Sequence, residues 1–140
     1  MLAVLFLVQE PAAKVKVERL TVEGAGGAHV FQVEVVREEH DRNRGLMYRR
    51  HLAADRGMLF DYDPPVVVGF WMKNTYIPLD IIFVAADGRI IRIAENTTPF
   101  SLDHIPSGGK IRGVLEINGG LSAKLGLKIG DRVQHRLFQP

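Results

Sequence analysis

The chain contains no cysteine. That excludes disulfides, thiol nucleophiles, thiolate metal sites and a lipid-modified cysteine anchor, and it leaves the redox compartment open. No apolar stretch reaches the roughly 20 residues that a transmembrane helix needs, so no integral membrane segment is expected. The histidines, His29, His40, His51, His104 and His135, show no metal-ligand spacing and read as surface residues. Ser101, Ser107 and Ser122 lie in no nucleophile elbow. No glycine-rich loop follows a strand in phosphate-binding order. No cofactor and no metal site is therefore expected.

What remains is apolar pattern and charge. A chain of 140 residues suits one domain with its own core. The net charge is only +2, yet arginines crowd one region: Arg37, Arg42, Arg44, Arg49, Arg50 and Arg56. Glu38, Glu39, Asp41 and Asp55 interleave with them, which describes a self-neutralising surface. Without aromatic interleaving, a nucleic-acid partner is not expected. The start, "MLAVLFLVQEPAA", joins an apolar run, Leu2 to Val8, to the small residues Ala12 and Ala13. No basic residue precedes the run. Residues 1–13 read as a truncated signal peptide or an apolar leader, and residues 14–140 as a single β-rich domain. The first reading implies a periplasmic or secreted protein, the second a cytoplasmic one.

The segment "KVKVERLTVEG" alternates as a strand, with Val15 and Val17 assigned to its apolar face. "HVFQVEVVR" follows as a second strand, and residues 38–48 shift to helical spacing. "GMLFDYD" is a short strand ended by Pro64 and Pro65. "VVVGFWMKNT" reads as a longer, central strand. "LDIIFVA" and "RIIRIAEN" flank Asp87-Gly88, a strong hairpin signal. "KIRGVLEIN" and "RVQHRLF" are further strands, and "GGLSAKLGL" allows two helical turns. About eight short strands with two short helices predict a mainly β fold, a compact sandwich or barrel.

A two-residue loop at 87–88 sets residue 82 opposite 93 and Asp80 opposite Glu95. Paired Cβ atoms lie about 5 Å apart, where two carboxylates repel by about 3 kcal/mol at an effective dielectric of about 20. Such a cost calls for a held proton, a cation or a bulge. Lys73, Arg44 and Arg112 are the candidate cations. In "FWMKN", Phe70, Met72 and Asn74 fall on one face while Trp71, Lys73 and Thr75 fall on the other. Arg112 and Glu116 share a face of their strand and need partners, because an unpaired buried charge is costly. A salt-bridge network pinning the sheet edge answers these needs as well as a pocket does. Met47, Met58 and Met72, near Trp71, could converge on a soft cation such as Cu(I), although methionine serves more often as core filler.

The blocks "RGLMYRRHL" (44–52), "RGMLFDYD" (56–63), "FWMKNTYIPLDIIFV" (70–84), "DGRII" (87–91), "AENTTPFS" (94–101), "VLEINGG" (114–120) and "LGLKIGDRV" (125–133) occur in this order. Together they closely resemble domain-of-unknown-function family 192 over roughly residues 33–136. The resemblance implies a compact β-rich domain, often exported in bacteria. It implies no activity, and no catalytic residue is carried over. Its motif positions here include Arg44, Gly45, Leu46, Met47, Gly57, Met58, Phe60, Phe70, Trp71, Met72, Asn74, Thr75, Asp80, Glu116 and Gly119.

The expected ligand-binding residues are Arg44, Met47, Trp71, Lys73, Asn74, Asp80 and Glu116, with Arg44 reaching toward Asp80. Gly45, read as interior to a helix, suggests close backbone packing there. The leading expectation is a small exported β-domain that binds a small molecule or a protein partner. A carboxylate-based hydrolase or lyase using Asp80 with Glu95 or Glu116 is the alternative. A structural module whose polar cluster only fixes the fold is the third reading.

Overall fold

The computed structural model describes residues 15–140. The leader expected at residues 1–13 lies outside the described residues. In chain order the elements are β1 (Lys16–Gly24), β2 (Gly27–Val36), α1 (Glu39–Arg44), β3 (Arg56–Val66), β4 (Gly69–Phe70), β5 (Leu79–Val84), β6 (Ile90–Ala94), β7 (Ile105–Pro106), β8 (Ile111–Asn118), α2 (Leu121–Leu125) and β9 (Arg132–Gln134). Seven strands form one sheet in the order β6-β5-β8-β3-β2-β1-β9, and β4 pairs with β7.

The large sheet curls until its two ends meet. Arg89, just before β6, bridges Arg132 of β9. Ile90 N–H donates to the Asp131 carbonyl at 2.9 Å, and Val133 N–H donates to the Gly88 carbonyl at 2.7 Å. Rolling the sheet onto itself satisfies edge groups that would otherwise recruit another chain. Gly88 is required at this seam: its φ is +89°, and a Cβ would lie 2.7 Å from the Val133 carbonyl oxygen. The mainly β, barrel-like fold with two short helices is therefore as expected.

Alternation divides the apolar residues between two layers. Leu20, Val22, Phe31, Val33, Leu59, Ile82, Val84, Leu115, Ile117 and Val133 fill the barrel interior. Met58, Phe60, Ile81, Phe83 and Val114 face outward from β3, β5 and β8, where Leu46, Met72, Ile105 and other residues cover them. All six residues of β5 are buried, because this strand is covered on both faces. Burying a large apolar side chain contributes about 1.5–3 kcal/mol. Hence β3, β5 and β8 anchor both layers.

Several expectations need correction. "VVVGFWMKNT" is not a central strand: Val66 ends β3 opposite Ile111 of β8, and beyond it only Gly69–Phe70 pairs, with β7. Asn74 takes φ +54°, which bends residues 71–78 into a strap across the barrel wall. Val15 and Val17 are exposed while Leu20 and Val22 are core, so the period was legible but the inward face was not. β3 continues through Pro64 and Pro65, and its ladder with β8 shifts between Asp61 and Val66. Prolines fit there because they have no ladder N–H to offer. In the β5–β6 hairpin Ile82 faces Ile93 as expected, but a bulge then sets Val84 opposite Ile90. Ile90 consequently enters the interior and Ile91 packs on the outer layer.

Candidate functional site

Asp80 and Glu95 do not pair. The β5–β6 ladder ends at Ile81 and Ala94, and Glu95 is exposed. Asp80 is completely buried. One of its carboxylate oxygens accepts the Asn96 N–H at 2.8 Å and the Gly120 N–H at 2.9 Å, and the other accepts the Ser122 N–H at 2.7 Å. The α2 helix has Gly120 as its N-cap and no side-chain cap of its own. Asp80 supplies that cap from a neighbouring strand, where helix N–H groups favour a negative charge. Backbone dipoles, not cations, answer this carboxylate.

Asp80 also stands on the wrong face for the expected cluster. It pairs with Ile117, an interior residue, whereas Glu116 lies opposite the outward-facing Ile81. Alternation therefore sends Asp80 into the barrel and Glu116 outward. Arg44 reaching Asp80 and an acid–base pair built on Asp80 are both ruled out by this placement.

A cavity of about 500 Å³ opens between the outer face and its covering segments. It is lined by Arg44, Met47, Trp71, Lys73, Asn74 and Glu116, six of the seven expected residues, while Asp80 is not among its walls. Phe60, Tyr62 and Phe70 add aromatic wall, and Arg42 and Asn43 come from α1. Sequence reading missed these five, yet one signal was available. Period-two spacing from buried Met58 places Phe60 and Tyr62 on the same face of β3. The Phe60 and Phe70 rings meet edge to face at 5.0 Å.

Local backbone builds the mouth. Gly45 is the residue that ends α1, not an interior one; its φ is +48°, and a Cβ would meet the Phe60 ring at 3.1 Å. This close approach buries Leu46 and leaves Arg44 and Met47 on the cavity. Tyr48 and Asn74 clasp each other: Tyr48 N–H donates to the Asn74 carbonyl at 2.8 Å, and Asn74 Nδ2 donates to Tyr48 Oη at 2.9 Å. Both have positive φ, as does Phe100, whose N–H donates to the Thr75 carbonyl. Left-handed backbone costs a non-glycine residue roughly 1 kcal/mol, and three of the four such residues among the described ones lie in the strap or bond to it, the fourth being Asn96.

The cavity's charge is uneven. Lys73 Nζ lies 5.0 Å from the Trp71 ring centre, a cation–π contact. Arg42 stacks 4.6 Å above Tyr62 and donates to the Asp61 carbonyl at 3.0 Å. Among the described residues no acid pairs with Arg44 or Lys73. Glu116 is the opposite case: only 5% of its surface is exposed, and its ladder neighbours Met58 and Ile81 are uncharged. No hydrogen bond or ion pair from the described residues reaches its carboxyl. Burial pushes Glu116 up to about 8, so it is mostly neutral at pH 7 and can both donate and accept. Burial also raises the Tyr62 phenol, with the Arg42 charge opposing it.

The other candidates disperse. Arg112 joins Asp61, not Glu116, in a buried ion pair, and also donates to the Tyr62 carbonyl at 3.1 Å. Met58 and Met72 belong to the outer apolar layer, where Met72 Sδ accepts the Thr97 hydroxyl at 3.1 Å; of the three methionines weighed for copper, only Met47 lines the cavity. His135 is not a surface residue: its ring is almost wholly buried beside Glu18 at 3.0 Å. Among the described residues no helix is long and apolar enough to cross a membrane.

A curled, barrel-like sheet with a strap-covered cavity on its outer wall is the class that this geometry defines. The profile of DUF192, described as "Uncharacterized ACR", matches residues 20–135, and the chain belongs to that family. A crystal structure of a protein of unknown function from Novosphingobium aromaticivorans DSM 12444 is 44% identical with a TM-score of 0.86, covering 91% of each chain. A structure from Sinorhizobium meliloti 1021, described as a candidate transcription regulator, is 42% identical with a TM-score of 0.85 and covers 89% of this chain and 97% of that one. No curated protein matches the chain.

Proposed function

We propose that this domain binds a small organic ligand in the cavity between Trp71 and Glu116. One observation carries the reading: the carboxyl of Glu116, a nearly buried residue, has no partner among the described residues and lines a cavity large enough for a metabolite. Buried polar groups are otherwise satisfied almost everywhere in native proteins, and unsatisfied ones beside aromatic walls are what ligands complete. Strain at Tyr48, Asn74 and Phe100 supports it, because such conformations gather where a surface is held ready for function. The Sinorhizobium relative is described as a candidate transcription regulator, but α1 and α2 of this chain have six and five residues, too short for a DNA-recognition helix.

The chain's single tryptophan stands at the mouth, half exposed, so its fluorescence reports occupancy. A small-molecule screen should find compounds that both raise the melting temperature and change Trp71 emission. A ligand at a hundred times its Kd stabilises by about 2.7 kcal/mol. If no compound does so, or if hits stabilise a Glu116→Ala, Lys73→Ala double variant equally, the cavity is not the site. Export is a separate part of the proposal, supported by the Leu2–Val8 run followed by Ala12 and Ala13. Fractionation and N-terminal sequencing test it, and an intact Met1 in the cytoplasmic fraction would refute it.

A further inference from the structure

Resting on that reading, we infer that the cavity selects a zwitterion whose ammonium and carboxylate stand at opposite ends, the ammonium against Glu116 and the carboxylate between Arg44 and Lys73. The argument is one of placement. Glu116 is buried and has no partner among the described residues, while Arg44 and Lys73 line the same cavity, are exposed and lack acids. Glu116 is the buried member, Arg44 and Lys73 are the exposed ones, and the third cation, Arg42, is turned onto the Tyr62 ring. A purely anionic ligand leaves the buried carboxyl facing an apolar tail, and a purely cationic one meets two positive side chains that it cannot pair. Only a molecule charged at both ends completes both.

The walls suit such a molecule. Phe60, Tyr62 and Phe70 line the same cavity as Glu116 and give aromatic surface on which the ligand's methylenes can pack. Arg42 is held by its bond to the Asp61 carbonyl and by its stack on Tyr62, and so remains part of the wall. The groups that face Glu116 from each packed element are then few. From β3 they are Met58, Phe60 and Tyr62; from β5, Ile81. Arg42 and Arg44 come from α1, and Lys73 from the strap. No second carboxylate lies among them, so among the described residues Glu116 is the cavity's single acid. An arriving ammonium should draw its proton off, leaving a buried pair of opposite charges. The proton leaves to buffer, and no bond in the ligand changes.

The experiment is a calorimetric and Trp71-fluorescence titration of the full chain at pH 7 with ω-amino acids from 3-aminopropanoate to 6-aminohexanoate. Hexanoate, 6-hydroxyhexanoate and hexylamine are the single-charge controls. One chain length should bind at least tenfold more tightly than every control. Repeating the titration in buffers of different ionisation enthalpy should show release of close to one proton per ligand. Glu116→Gln should abolish the proton release and bring the amino acid down to the affinity of the hydroxy acid. Arg44→Ala with Lys73→Ala should bring it down to that of hexylamine. Hexanoate or the hydroxy acid binding as tightly as the best amino acid, without proton release, overturns the zwitterion while leaving the ligand cavity in place. Failure of every probe also overturns it, and the broader screen above then decides the fate of the cavity itself.

Discussion

Two buried acids on neighbouring strands, Asp80 of β5 and Glu116 of β8, differ in everything except burial. Asp80 points into the barrel and receives three backbone N–H bonds. Glu116 points outward into the cavity, and no described residue satisfies it. The same chemical group is therefore a structural bolt on one face of the sheet and an open valence on the other. Burial alone does not separate the two roles; the count of donors does. Removing each acid should expose that difference. Asp80→Ala strands three N–H groups and uncaps α2, and is expected to cost about 4 kcal/mol, within the range for breaking a buried charged network. Urea unfolding measures it, and a loss below about 1 kcal/mol would make Asp80 dispensable to the fold.

Glu116 should show its difference as a pH dependence. Its folded value, about 8, lies above the ordinary 4.5, so the folded state holds a proton that the unfolded state has released. Stability then falls as pH rises from about 5 to 8 and levels off above. The slope for one proton cannot exceed about 1.4 kcal/mol per pH unit. Water in the open cavity tempers this, and we expect a total loss of about 3 kcal/mol. Glu116→Gln removes the slope and should be more stable than the wild type at pH 8.5. Equal stability of the two proteins from pH 5 to 8.5 would mean that Glu116 ionises as freely as an exposed glutamate.

The donors that separate the two acids were the part that sequence could not show. Ile82 does face Ile93, as a two-residue Asp87-Gly88 loop predicts, but only because a bulge between Phe83 and Val84 offsets a longer loop; alternation correctly grouped Asp80 with Ile82. Whether Asp80 faced cations or backbone depended on where residues 96, 120 and 122 fold back, which no local pattern encodes. The cavity fared better. Lys73 and Glu116 were found because charged side chains in an apolar context demand an explanation, and Arg44, Met47, Trp71 and Asn74 because they fall in the blocks that resemble the family. The strap was misread for a physical reason: "VVVGFWMKNT" has the composition of a buried strand, and the buried residues Met72 and Thr75 do serve as core. Only the left-handed turn at Asn74 separates strap from strand, and asparagine tolerates that region without announcing it.

Glycines sharpen the contrast between barrel and cover. Gly88, at φ +89°, stands 2.7 Å from a backbone oxygen in terms of its missing Cβ, while Gly45, at φ +48°, meets the end of the Phe60 ring at 3.1 Å. A carbonyl in a closed seam cannot retreat, whereas a ring that borders a cavity can. Gly88→Ala should therefore cost about 3 kcal/mol and Gly45→Ala about 1–2 kcal/mol, both including left-handed strain. Thermal or urea unfolding ranks them. The reverse order would show that the cover is packed more rigidly than the barrel.

The smallest expected effect concerns two asparagines, each at positive φ, one on either side of this divide. Asn96 (φ +46°) donates its N–H to Asp80, and Asn74 (φ +54°) clasps Tyr48 at the cavity mouth. Glycine relieves left-handed strain worth roughly 1 kcal/mol, but it also gives the unfolded chain more freedom, worth about 0.4–1 kcal/mol. Asn96→Gly keeps the N–H that matters, so stability should change by less than about 0.5 kcal/mol. Asn74→Gly also loses an exposed side-chain hydrogen bond, worth about 0.5 kcal/mol, and should be slightly destabilising at most. What distinguishes them is the rim. Freeing residue 74 lets the strap move, which should alter Trp71 emission and weaken ligand binding several-fold, whereas Asn96→Gly should leave both unchanged. Strain at Asn74 would then serve the shape of the mouth and not the stability of the fold. Identical Trp71 behaviour in the two variants would deny the strap that role.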